Sequence, residues 1–378
     1  MKFTVSSSAL SQNLQAIGKV INSKNTIPIL DYFLFEVNDN ALKITASDVD
    51  TTLCVTIAIE NQAATDGSVA VPARRILDSI KEFAEQPLTI SVDVESWEII
   101  VAWGTGKLTI PGITGIGYPT QQPLNDDELT RISIPAGLLA DGIASTIFAT
   151  ADDTLRPVMN GVNIAISPTE ITFVATDAHR LVRYQNTSVT SPEPAAFILP
   201  AKSSSLLRSV MPRDEKVMIQ VEFDSKNVVF TLPNHRLVGR LIEGNYPNYN
   251  AVIPLNNTNN LSLDRGELMA SLRRVSVCSN QASGLVRLNL SSKGLAITAQ
   301  DFDYNTSAED NIACIYAGEP MEIGFKAPFL LDILNNIHTT EVMISLADSS
   351  RPGLFLPVDP DDQQTTILML LMPMMINA

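Results

Sequence analysis

The chain has 378 residues, of which 45% are hydrophobic and 18% charged, an ordinary globular composition with length enough for two or three domains. Its 41 acidic against 26 basic residues leave a formal charge of −15, which excludes a surface uniformly attractive to nucleic acid. Polar residues interrupt the first twenty positions, the longest apolar run (367–376) is about half a bilayer span and contains Pro373, and Cys54, Cys278 and Cys314 form no CxxC pair. The expectation is a cytoplasmic chain with no export signal, membrane span, disulfide frame or zinc knuckle.

Three landmarks recur in the same order along the chain. The first opens at Phe3-Thr4-Val5, Ile132-Ser133-Ile134 and Leu261-Ser262-Leu263, at an offset of 129 each time. Alternation of period two there gives way to apolar residues three or four apart: Leu10 and Leu14, Leu139 and Ile143, Leu268 and Leu272. That change of period predicts a short strand feeding an amphipathic helix, with Ser6, Pro135 or Asp264 between them as the helix-starting residue. The second landmark is a strand ending in Ala, a polar residue and Asp, at Asp48, Asp177 and Asp301. These aspartates read as turn residues whose carboxylates bond nearby backbone amides.

The third landmark begins at Val71-Pro72-Ala73-Arg74, Leu199-Pro200-Ala201-Lys202 and Phe325-Lys326-Ala327-Pro328, and each copy opens a second apolar-periodic helix. A tandem triplication follows, with boundaries in the polar stretches 120–130 and 254–260. Each unit reads as α+β, two helices packed on antiparallel sheet.

The six helices are expected near 7–20, 72–84, 137–149, 200–211, 266–280 and 326–338. They would carry nine basic residues (Lys19, Arg74, Arg75, Lys81, Lys202, Arg208, Arg273, Arg274 and Lys326) against five acidic ones (Asp78, Glu82, Asp141, Glu267 and Asp332). That leaves 17 basic and 36 acidic residues elsewhere. Repeats that curve with helices on the concave side would therefore have a basic lining inside an acidic shell. Helices also favour Lys and Arg in general, so the contrast across all six matters more than any one residue. The pattern is too sparse for base reading, and no helix-turn-helix, zinc finger or RNP signature occurs; it suits weak, salt-sensitive, mobile contact with phosphates.

Chemistry finds few candidates. His179, His235 and His338 are the three histidines, none in HExxH or at metal-ligand spacing. In Asp177-Ala178-His179-Arg180 a carboxylate neighbours an imidazole, but no nucleophile motif accompanies them. GxGxxG, Walker A and GxSxG motifs are absent, and Gly104-Thr105-Gly106-Lys107 reads as a hairpin turn. Neither a catalytic site nor a cofactor nor a metal is expected. The methionine-rich end (367–376) reads either as an adaptable partner surface or as a buried last strand.

Across its whole length the chain closely resembles the bacterial sliding clamps, the beta subunits of the replicative DNA polymerase III holoenzyme. The resemblance rests on Met1-Lys2-Phe3-Thr4-Val5, Thr26-Ile27-Pro28-Ile29-Leu30, Val71-Pro72-Ala73-Arg74 and Asn160-Gly161. It continues through Ala175-Thr176-Asp177-Ala178-His179-Arg180-Leu181, Tyr246-Pro247-Asn248-Tyr249, Met321-Glu322-Ile323-Gly324-Phe325 and Met372-Pro373-Met374.

It implies three clamp-fold domains, 1–127, 128–256 and 257–378, and a head-to-tail homodimer closing a ring around duplex DNA without reading its sequence. It also implies one pocket per subunit in which the replicative polymerase, the clamp loader and repair proteins insert short linear peptides. Carried onto this chain, the pocket uses Met159, Thr176, Ala178, His179, Arg180, Leu181, Pro247, Val252, Phe329, Leu370, Leu371, Met372, Pro373 and Met374.

The resemblance adds Lys24 to the DNA-facing set of Lys19, Arg74, Arg75, Lys81, Lys202, Arg208, Arg273 and Arg274, and pairs Lys107, Leu108 and Ile110 with Val277 and Cys278 at the dimer contact. The chain departs from the family pattern at Ala178 (usually glycine), Ala251 (usually basic), Met375-Ile376-Asn377-Ala378 (usually Arg-Leu) and Pro157-Val158 (usually aromatic). Two other readings remain at this stage: a repeat-built peptide-binding scaffold that does not encircle DNA, and more remotely an enzyme of unknown type.

Overall fold

The computed structural model describes residues 1–62, 66–119, 124–359 and 362–376. The sequence landmarks at 120–123, 360–361 and 377–378 lie outside the described residues. Three strands, Lys2–Ser6, Thr130–Pro135 and Asn259–Asp264, each run directly into a helix: α1 (Ser7–Gly18), α3 (Ala136–Thr146) and α5 (Arg265–Ser276). Ser6 caps α1 by accepting from Ala9 N, and Asp264 caps α5 by accepting from Glu267 N. Leu10, Leu14 and Ile17 form the buried stripe of α1, and Leu268, Leu272 and Val275 that of α5. The third landmark becomes α2 (Ala73–Ile80), α4 (Ala201–Ser209) and α6 (Ala327–Asn335).

All six helices end earlier than the apolar pattern suggests. Val20 and Val210 are buried, but from turns just past α1 and α4, where their N–H groups bond Ile17 O and Leu207 O. Lys19 and Lys81 therefore stand at C-caps and Lys326 at an N-cap, while Arg265 joins α5 at its first residue. No described helix is long and apolar enough to cross a membrane.

The described residues pack as two compact units, 1–140 with 202–243, and 141–201 with 244–378. These units cut across the repeats because sheet pairing continues from one repeat to the next. In the first unit, Thr51–Ala58 of repeat one pairs with His235–Arg240 of repeat two through Leu53↔Leu237. In the second, Arg180–Asn186 of repeat two pairs with Thr365–Leu371 of repeat three through Leu181↔Leu370. Each junction lies inside a nine-stranded sheet.

Two further sheets, of five and four strands, belong to repeats one and three. Gly106–Pro111 is an edge of the first, and Thr306–Ile312 an edge of the second.

Candidate partner-binding groove and charged surface

The expected pocket residues gather on an apolar sheet face of the second unit, where Leu181, Leu370 and Leu354 are buried. Directly opposed residues of antiparallel strands share a sheet face. Thr176↔Leu181, Leu181↔Leu370 and Leu370↔Leu354 therefore form one row across four strands. Val174↔Arg183 and Arg183↔Leu368 form the next, which the same register extends to Leu356. Val174, Leu181, Leu354, Leu368 and Leu370 make one apolar cluster, and Tyr246, Tyr249, Ile253 and Leu356 pack against it. Burial pushes the Tyr246 and Tyr249 hydroxyls above the ordinary tyrosine range, so both stay neutral. The opposite face buries Ala175, Val182, Met369 and Phe355 completely.

A rigid turn ends this surface. Asp177 Oδ1 accepts from His179 N at 2.9 Å and Arg180 N at 2.8 Å, while Thr176 Oγ1 donates to Arg180 O at 2.7 Å and accepts from Ala178 N at 3.1 Å. Asp48 and Asp301 hold their own turns in the same way, accepting from Asp50 N and Thr51 N, and from Asp303 N and Tyr304 N. The aspartate of the second landmark is thus a turn device in all three repeats.

His179 is exposed at the turn tip, and its carbonyl accepts from Met372 N at 2.8 Å, which ties the methionine segment to the groove mouth. Two residues on, Met374 N bonds Gly324 O at 2.8 Å beside α6, and Phe329 of α6 lies 6.0 Å from the His179 ring.

Arg180 and Leu371 correct the expected pocket. They oppose each other in the register and lie on the face away from Leu181 and Leu370. The Arg180 side chain is about 10% exposed, pairs with Asp177 at 3.0 Å and with Asp332 at 2.5 Å, and lies 4.6 Å above Phe329 and 5.4 Å from Phe148. It is an internal strut between the turn and α6.

Pro247 and Val252 flank Tyr249 in the segment that packs on the cluster, with Val252 exposed. Met159 is half-buried in the turn Pro157–Met159, and its carbonyl accepts from Ala151 N. Leu354, Leu356 and Leu368 belong to the same apolar face, and the sequence did not mark them. Leu368 was recoverable from its alternation with Leu370, whereas the two on Gly353–Pro357 depend on pairing alone.

The charged surface also divides. Lys202, expected to face DNA, instead donates from Nζ to Val20 O and Asn22 Oδ1, each at 2.7 Å, and pairs with Asp48. Lys81 pairs with Asp78 at 2.9 Å and Arg274 with Asp310 at 2.5 Å. Lys19, Lys24, Arg74, Arg75, Arg208 and Arg273 are exposed with no ion pair among the described residues. Of the expected dimer residues, Lys107 is exposed, Leu108 half-buried and Val277 82% exposed, but Ile110 is 2% exposed and already committed to its own core. Among the described residues no cluster of side chains could hold a metal ion.

Family models for the DNA polymerase III beta subunit match in three consecutive parts: the N-terminal domain over 1–122, the central domain over 133–248 and the C-terminal domain over 250–374. The chain belongs to the DNA polymerase III beta subunit family. The beta sliding clamp of Synechococcus elongatus is 26% identical over 385 residues, covering 100% of both chains. That of Vibrio cholerae is 27% identical over 368 residues, covering 97% of this chain and 99% of its own. The solved sliding clamp of Pseudomonas aeruginosa bound to griselimycin superposes with a TM-score of 0.92 at 27% identity, covering 100% of both chains. That of Bartonella birtlesii, also bound to griselimycin, gives a TM-score of 0.90 at 25% identity with the same coverage.

Against this family the departure at Ala178 has a physical reading. Its φ is +74°, the left-handed region in which glycine is at ease and alanine is strained. Ala251 and Met375 are exposed at positions where the resemblance leads one to expect basic side chains.

Proposed function

We propose that this chain is one half of a sliding clamp. Two copies close head to tail around duplex DNA and tether the replicative polymerase and other DNA-processing proteins, which makes synthesis processive. The chain comprises three clamp domains, 1–127, 128–256 and 257–378, and works in the cytoplasm on the nucleoid. As a processivity subunit it is not itself catalytic. The scaffold reading without DNA receives no support from the family match.

The observation that carries closure is a count of strand edges. The strand after the aspartate turn pairs across a repeat junction twice: Thr51–Ala58 with His235–Arg240, and Arg180–Asn186 with Thr365–Leu371. Its third counterpart is Thr306–Ile312, and the first-repeat counterpart of the acceptor strand is Gly106–Pro111. Each of these is a sheet edge with unpaired backbone groups. Such edges pair with another chain or need protection. A second copy supplies the missing partner to both edges at once, and this heterologous, head-to-tail pairing closes as a two-membered ring. The exposed Val277 and neighbouring Cys278 at the end of α5 would add apolar contact beside Lys107 and Leu108.

Inside such a ring the six unpaired cations touch phosphates sparsely, which gives weak, mobile, salt-dependent association. The partner site is the groove of Leu181, Leu370 and Leu354, closed at one end by His179, Phe329, Met372, Pro373 and Met374 and along one side by Pro247 and Val252. Polymerase, clamp loader and repair proteins would compete there with short peptides.

Sedimentation equilibrium at micromolar concentration should give about twice 41.0 kDa, and Val277→Asp should lower it. A wild-type monomer at every micromolar concentration contradicts closure. Leu181→Asp should abolish binding of a labelled peptide copied from the tail of the replicative polymerase; unchanged binding contradicts the groove.

A further inference from the structure

A second cation stands at the Phe329 ring beside the strut. Two cations face that ring: Arg180 at 4.6 Å and Lys326 Nζ at 4.8 Å. Arg180 pairs with both Asp177 and Asp332, so that trio carries one net negative charge. Lys326 has no carboxylate within ion-pair distance among the described residues, and it stands at the N-cap of α6. It is half-buried, with its stem along the Phe329 ring.

Backbone register brings this cation to the groove. The isolated antiparallel bridge Gly324↔Met374, with Met374 N bonded to Gly324 O, ties the methionine segment to the strand that ends at Lys326. Met372 is bonded to the His179 carbonyl, and the His179 ring faces Phe329 at 6.0 Å. Lys326 therefore stands on the Phe329 ring that faces His179.

We propose that Lys326 makes this end a carboxylate-selecting subsite, so that the groove prefers peptides in which an acidic side chain or the free C-terminus directly follows an apolar anchor. This rests on the groove reading above. The ion pair lies at a half-exposed rim, so its effect is about threefold to fivefold in affinity and falls with salt.

The test compares three labelled forms of one polymerase-tail peptide by fluorescence anisotropy on the full-length protein: free C-terminal acid, C-terminal amide, and amide with a glutamate after the last apolar residue. Wild type should bind the acid and glutamate forms about threefold to fivefold more tightly than the plain amide at 50 mM salt. Lys326→Met, which keeps an apolar stem over Phe329, should lose that preference while its amide affinity stays within about twofold. Preference for only one of the two acidic forms identifies which carboxylate is read and upholds the subsite. Equal affinity of wild type for all three forms overturns it, as does a preference that survives Lys326→Met. Failure of all three to bind wild type instead overturns the groove itself.

Discussion

Replacing Arg180 by methionine should cost stability and leave peptide affinity nearly unchanged. The substitution keeps an apolar stem but removes a guanidinium that is about 10% exposed and pairs with both Asp177 and Asp332. Asp177, itself 14% exposed, would lose its charge partner but retain the His179 and Arg180 N–H donors, so its penalty sits near the low end for a broken buried pair, about 2 kcal/mol. Asp332 is 48% exposed and water can replace the lost contact, which limits that part to about 0.5 kcal/mol. Loss of the stacking on Phe329 and Phe148 adds about 1 kcal/mol, for a total near 3.5 kcal/mol. Urea denaturation followed by circular dichroism measures it. Because Arg180 faces away from Leu181 and Leu370, peptide affinity should fall less than about threefold, equivalent to less than about 0.7 kcal/mol. Unchanged stability with a tenfold loss of peptide affinity would refute the strut and return Arg180 to the groove wall.

Three further outcomes follow from the same geometry. Ala178→Gly should raise stability by about 0.5 kcal/mol in the same denaturation assay, since relief of left-handed strain exceeds the extra chain entropy of glycine. Arg75→Ala should weaken salt-dependent association with duplex DNA and leave the fold intact, whereas Lys202→Met should lower the unfolding midpoint because it frees Asp48, Val20 O and Asn22 at once; parallel salt titrations and melts separate the two. The Arg274 guanidinium holds the Asp310 carboxyl below its ordinary value, so its stabilisation is present above about pH 4 and is lost as pH falls through the lower folded value. Acid titration should therefore show a smaller loss of stability below pH 4 in Arg274→Met than in wild type.

Much of the architecture was legible because it is local and occurs three times. The change of period at Phe3, Ile132 and Leu261 marked the strand-to-helix steps, and the aspartates at 48, 177 and 301 all hold turns through backbone amides. What escaped was non-local. Lys202 looks like a surface cation until Asp48, 154 positions away, is brought against it, and Arg274 meets Asp310 only through the fold. The facing of Arg180 depends on strand parity: it adjoins Leu181 in sequence yet points to the other side. Leu354 joins the groove through a pairing with Leu370 that no spacing announces. Helix ends were overrun because Val20 and Val210 continue the apolar rhythm from turns.

The central claim is topological, and retention on DNA tests it most directly. The protein would be assembled on nicked circular duplex by a clamp loader with ATP, isolated with the circle by gel filtration, and the DNA then cut at one site. The protein should stay with the closed circle and leave as soon as the circle is linearised. Retention on the linear form with free ends, or failure to remain on the intact circle, would contradict encirclement.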